Sequence, residues 1–105
     1  MTHINQWEQA EPGVRRKIFQ PGKEIMMMEV QFEQGAVGSE HSHPHEQITY
    51  CLKGRLEFLI EGKKIELSAG ESIYIPGDVR HGVKALEESA LLDVFTPVRE
   101  DLLKR

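Results

Sequence analysis

The chain has 105 residues, 39% of them hydrophobic and 29% charged, with a formal net charge of −4. That length holds one domain, residues 1–105, and a domain of this size buries only roughly 60–70% of its unfolded surface, so a homodimer that completes the core is expected. The negative balance excludes the basic stripe of a nucleic-acid module, and no apolar run approaches the ~20 residues with which a helix crosses a bilayer.

The opening residues carry no charged segment followed by an apolar one, so no signal peptide is expected. The single cysteine, Cys51, forbids an intramolecular disulfide. A reducing, cytoplasmic setting is the corresponding expectation.

In chain order, Ile4–Ala10 is expected to be helical. Glycine and proline punctuation then cuts the chain into pieces of strand length: Val14–Phe19, Ile25–Glu33, Ile48–Leu52, Leu56–Ile60, Lys64–Leu67, Ser72–Ile75, Gly82–Leu86 and Ala90–Phe95. Leu56–Ile60 and Lys64–Leu67 alternate apolar and polar residues, the mark of half-buried strands. Lys53-Gly54 and Glu61-Gly62 read as tight turns between antiparallel strands, because each offers a glycine for positive φ. A second short helix, Arg99–Lys104, follows Pro97. Short strands at this spacing point to an all-β sandwich or barrel. Met26-Met27-Met28 reads as strand core filled by flexible thioethers, and Cys51 as a small buried hydrophobe.

Four of the five histidines fall in two places, His41-Ser-His43-Pro-His45-Glu-Gln47 and His81. On a strand, residues two apart share a face, so His41 and His43 aim into one interior, and Gln47 keeps that parity if no bulge intervenes. Neutral imidazoles side by side on an inward face call for a cation, and they suit zinc, iron, nickel or copper. His45 has compatible parity, but Pro44 interrupts the strand and leaves a rim position equally open; Glu46 should face solvent. Parity does not choose whether Tyr50 or Tyr74 lines a cavity.

These residues resemble the two motifs of the cupin superfamily. The first, G-x5-H-x-H-x3-E-x6-G, is met by Gly35, His41, His43, Gln47 and Gly54 (residues 35–54). The second, G-x5-P-x-G-x2-H-x3-N, is met by Gly70, Pro76 and His81 (residues 70–85). The departures are Gln47 for glutamate, Asp78 for the second glycine and Ala85 for asparagine. The resemblance implies a jelly-roll barrel, the double-stranded β-helix, with one divalent metal at His41, His43, Gln47 and His81.

Gly13–Ile18, His41–Gln47 and Leu92–Asp101 are similar to the KdgF family of pectin-degradation cupins, in which a metal shell of three histidines and a glutamine is the rule. That resemblance implies linearisation of 4,5-unsaturated monouronates from pectin or alginate to keto-deoxyuronates. It leaves the metal open among zinc, nickel, manganese and iron. It implies a small anionic sugar as partner, Asp93 as general acid/base, Arg99 as carboxylate anchor and Phe95 as a wall for the sugar ring. Against these stand plainer roles: Asp93 paired with Arg15, Arg16 or Lys17, Phe95 as core, and Arg99 paired with Glu100 or Asp101 at the surface. The competing activities are a cupin dioxygenase and a non-catalytic sugar- or metabolite-binding cupin.

Overall fold

The computed structural model describes residues 3–103. Ten strands and one helical turn follow one another: β1 (Trp7–Glu11), β2 (Val14–Ile18), β3 (Met26–Phe32), β4 (Val37–His41), β5 (Glu46–Lys53), β6 (Arg55–Ile60), β7 (Lys63–Ser68), β8 (Ser72–Ile75), β9 (His81–Ala85), β10 (Ser89–Thr96) and α1 (Glu100–Leu103). They form a six-stranded sheet in the order β1-β2-β3-β10-β5-β8 and a four-stranded sheet in the order β4-β9-β6-β7. Every strand pairing is antiparallel. The all-β expectation holds.

Period-two burial decides which side chains meet between the sheets. On β3, Met26, Met28, Val30 and Phe32 are buried while Met27 faces out. Leu91 and Phe95 of β10, Leu56 and Phe58 of β6, Cys51 of β5 and Ala85 of β9 belong to the same core. Cys51 is the small buried hydrophobe expected of it.

Three readings of local structure need correction. Ile4–Ala10 is not helical, because Trp7–Glu11 pairs with β2 as an edge strand and cross-strand hydrogen bonding overrides local preference. Lys53-Gly54 is not a hairpin turn: β5 lies in one sheet and β6 in the other, so this corner is the crossover between them. Glu61-Gly62 does close a hairpin, β6–β7, with φ of 49° and 80° at the two residues, the positive pair a type I′ turn requires. The terminal helix begins one residue late, at Glu100, and its expected end at Lys104 lies outside the described residues. Among the described residues no helix is long and apolar enough to cross a membrane.

Candidate functional site

β4 ends at His41, and β9 begins at His81, its direct register partner across the four-stranded sheet. His43 is not on that strand. It lies in the 42–45 connection, after the β4 pairing has ended and just before Pro44, which has no amide hydrogen to continue a ladder. His41 and His43 therefore do not share a strand face as their spacing predicts, and a different geometry brings the rings together. Asp78 donates its backbone amide to the His43 carbonyl at 2.7 Å, so the loop ahead of His81 rests on the loop holding His43. Asp78 itself sits at φ 65°, a left-handed conformation that aspartate tolerates better than most residues. A substitution for the family's glycine is accommodated there. Gly77, beside it, packs so closely on the Pro44 carbonyl that a Cβ would collide.

The three imidazoles converge. Ring centroids are 4.5 Å apart for His41–His81, 5.1 Å for His43–His81 and 5.5 Å for His41–His43. Their ligand nitrogens all lie within 4.8 Å of one another. Each Nδ1 donates to a backbone carbonyl: His41 to Ser39 at 2.9 Å, His81 to Val79 at 2.9 Å and His43 to His45 at 3.1 Å. A carbonyl only accepts, so each ring keeps its proton on Nδ1 and its lone pair on Nε2. Burial, followed by the charge of Arg99, lowers the His43 pKa from 6.5 to about 4, and burial also lowers that of His81. His43 and His81 are therefore neutral donors.

Gln47 belongs to the next strand, β5, on its buried face. Its Nε2 donates to Thr49 Oγ1 at 2.9 Å and to Asp93 Oδ1 at 3.0 Å, which turns Oε1 toward His43 Nε2 at 3.0 Å. With the His43 proton on Nδ1, two lone pairs face each other across that gap. The His81 Nε2 atom is buried with no hydrogen-bond partner. Both features are costly for groups removed from water, and a cation among these atoms satisfies both. The donor set of neutral imidazoles fits a divalent transition metal.

Behind the imidazoles lies a cavity of about 140 Å³, lined by His41, Gln47, His81, Asp93, Phe95 and Arg99 among others. Drug-sized ligands occupy roughly 300–1,000 Å³, so this space takes a small molecule. Asp93, 7% exposed, accepts from Thr49 Oγ1 and Gln47 Nε2. Burial raises its pKa from 3.8 to about 6, against the opposing pull of those two hydrogen bonds. It has no ion pair with Arg15, Arg16 or Lys17: Arg16 binds Glu8 and Arg15 binds Gln31. Arg99 does pair with Asp101, through Nε at 3.0 Å and Nη2 at 2.7 Å. It is nonetheless buried, and its guanidinium stacks 5.0 Å from the Phe95 ring centroid. Phe95 also meets the His43 ring edge-on at 5.6 Å, so it lies between these two groups.

Two residues escaped the sequence reading. Thr49, fully buried and bonded to Asp93 and Gln47, shares Gln47's parity on β5, and that alternation was the available signal. Arg16 stands at an inward position between Val14 and Ile18, an arginine where the pattern calls for an apolar residue. His45 is half-buried and binds the Val98 carbonyl through Nε2 at 3.2 Å, whereas Glu46 is exposed and accepts from the Tyr74 hydroxyl at 2.8 Å. Tyr50 and Tyr74 both face outward, 42% and 52% exposed.

An antiparallel two-sheet barrel with three imidazoles converging between strands β4 and β9 has the architecture of a metal-site cupin. The Cupin domain model matches residues 28–95, and the chain belongs to the cupin family, within it to the group of KdgF. It is 41% identical over 99 residues to the pectin degradation protein KdgF of Dickeya dadantii (strain 3937), covering 92% of this chain and 90% of the relative. The structure of KdgF from Halomonas sp. superposes with a TM-score of 0.88 at 39% identity, covering 97% of this chain and 94% of that one. An RmlC-like cupin from Shewanella frigidimarina NCIMB 400 reaches the same TM-score at 32% identity, with coverages of 93% and 88%.

Proposed function

We propose that the protein is a metal-dependent enzyme that converts 4,5-unsaturated monouronates, released from pectin or alginate, into linear keto-deoxyuronates. The observation that carries this reading is the Asp93 carboxyl. It is buried in a cavity shared with the imidazoles and has a pKa raised to about 6, where one group both gives and takes a proton near neutral pH. Similarity to proteins named for pectin degradation supplies the substrate class.

His41, His43, His81 and the Gln47 amide oxygen are the proposed ligands. A zinc, nickel, manganese or iron ion bound there supplies Lewis-acid polarisation of the substrate's oxygens. The rest falls to the protein's own groups. Ring opening breaks the C1–O5 bond as the C1 hydroxyl loses its proton, and the C5 enol becomes a ketone as C4 gains one. No net proton is consumed. Asp93 is the proposed acid/base, held at Oδ1 by Thr49 and Gln47. Arg99 is the proposed carboxylate anchor, oriented by Asp101 and Phe95. Phe95 is the proposed wall, fixing His43 on one side and Arg99 on the other.

The test is to give metal-loaded protein a 4,5-unsaturated monouronate and follow the ultraviolet absorbance of its conjugated alkene. Accelerated decay with formation of the keto product is expected. Decay no faster than without protein defeats the proposal, and oxygen uptake in its place identifies a dioxygenase. A non-catalytic binding protein is distinguished by an Asp93→Asn variant that keeps full function.

A second copy of the chain is the proposed macromolecular partner, and the cytoplasm the proposed location. The outer face of the six-stranded sheet exposes Met27, Ile48, Tyr50, Leu52 and Tyr74, with Ile48 opposite Val94 on one side and Tyr74 on the other. Arg15 and Lys17 lie on the outward parity of β2, and Glu46 on that of β5.

A further inference from the structure

Arg16 has no part in the proposed chemistry, yet its place on β2 is unusual. Val14 and Ile18 flank it on the same face and are buried in the core. The Arg16 side chain is 18% exposed and lines the same cavity as His41, His81, Asp93 and Arg99. Its cross-strand partner Glu8 accepts from Nε at 3.0 Å. No hydrogen bond within the described residues engages its two terminal nitrogens. A half-buried ion pair adds little stability beyond what an apolar pair would give, so stability alone does not account for a guanidinium at this position.

The two arginines of the cavity differ in what they can offer. Arg99 already shares its Nε–Nη2 edge with Asp101. Arg16 is fixed at Nε alone, and its terminal edge is the fork that matches a carboxylate. Glu11, the other acid near the mouth, is occupied by the Ser39 amide and hydroxyl, the latter at 2.6 Å. We propose that Arg16 is a specificity-determining residue of this cavity, a second guanidinium directed at the ligand that makes it select acid sugars over neutral ones. The proposal rests on the acid-sugar reading above and adds a residue to it. Glu8 holds the guanidinium in place, and the desolvated setting strengthens its attraction for an anion.

The experiment titrates zinc-loaded protein with galacturonate and with galactose, neither of which carries the reactive alkene, following amide shifts by NMR. Wild type should prefer galacturonate. Arg16→Gln should lose about tenfold or more of that affinity while leaving galactose binding and zinc affinity unchanged. Arg16→Lys, which keeps the charge and the apolar stem, should recover part of it. Galacturonate affinity unchanged in Arg16→Gln, or lost in equal measure with galactose and zinc, overturns the proposal. Absence of any preference in wild type overturns both this proposal and the acid-sugar reading. Intact preference in a protein that does not linearise the unsaturated uronate overturns only the proposed reaction.

Discussion

On β5, Gln47, Thr49 and Cys51 point into the barrel and are buried, while Ile48, Tyr50 and Leu52 point out and are between 40% and 51% exposed. On the neighbouring β10, Asp93 stands inside between the core residues Leu91 and Phe95, with Leu92 and Val94 outside. Sheets with one wet face ordinarily place apolar residues inward and polar ones outward; at Gln47, Thr49 and Asp93 the order is reversed. Burying an amide, a hydroxyl and a carboxyl costs several kcal/mol if they are left unpaired. Here they are bonded to one another, and Gln47 in turn to His43. The inner face has therefore given up apolar packing for a polar network beside the imidazoles, and the outer face presents the apolar area that a second copy would cover. The two faces should respond to mutation in separable ways.

The largest effect is expected from Asp93→Asn on the inner face. Asparagine keeps the shape and can still accept from Thr49 and Gln47, but it has no titratable proton. Turnover should fall by about 10²–10⁴ with metal content unchanged, measured at saturating substrate. The same variant carries a stability signature of opposite sign. The folded Asp93 pKa is raised from 3.8 to about 6. Below the lower value both states are protonated and the carboxyl has no cost. As pH rises from 3.8 to 6 the unfolded chain releases its proton while the native state retains it, and stability is lost. At roughly 1.4 kcal/mol per unit, wild type should lose about 2 kcal/mol relative to Asp93→Asn between pH 4 and pH 7, read from urea unfolding of metal-free protein. Equal pH dependence in the two proteins would place Asp93 in a solvated site.

Removing an imidazole tests the rim of that inner network. His81→Ala deletes a buried Nε2 of the cluster that has no hydrogen-bond partner, so it should weaken zinc affinity at least about 100-fold, the upper range for groups that only support a ligand. Calorimetry measures this directly. The outer face should be indifferent, with self-association unchanged.

The converse variant is Ile48→Glu. Its Cα neighbours across the sheet are Val94 and Tyr74, and a charge among them in each copy opposes packing face to face. Sedimentation equilibrium should show the dimer constant weakened tenfold or more, about 1.4 kcal/mol, while zinc affinity per chain stays constant. A monomeric wild type at high concentration would leave the exposed apolar row without its proposed role.

How much of this was legible in the sequence depends on how local the cause was. The spacing of His41, His43, Gln47 and His81 and the alternation of β6 and β7 are properties of short segments, and they identified the all-β fold and the cluster. What misled was non-local. Ile4–Ala10 lacks a strong strand pattern and becomes a strand only because β2 offers its edge. His43 reaches His41 through the seating of the Asp78 loop on its carbonyl and not through strand parity. Gly54 looks the same in sequence whether it turns a hairpin or crosses between sheets. Thr49 and Arg16 were hidden because a single inward polar residue is visible only once the partner strands define which side is inward.

Thr49→Val makes the finest distinction on the inner face. It removes one hydroxyl from a fully buried site and nearly conserves volume, so the fold and the proposed self-association should be unaffected. The lost hydroxyl donates to Asp93, and that bond acts to lower the Asp93 pKa. Without it the carboxyl should hold its proton to higher pH, moving the corresponding limb of the pH–rate profile upward. Gln47 Nε2 keeps Asp93 as its acceptor, so its amide oxygen should still face His43 and zinc affinity should change by less than about tenfold. A displaced pH limb with metal binding retained separates the proton-handling half of the network from the ligand-holding half. Loss of both together would mean that Thr49 fixes Gln47 first and acts on Asp93 only through it.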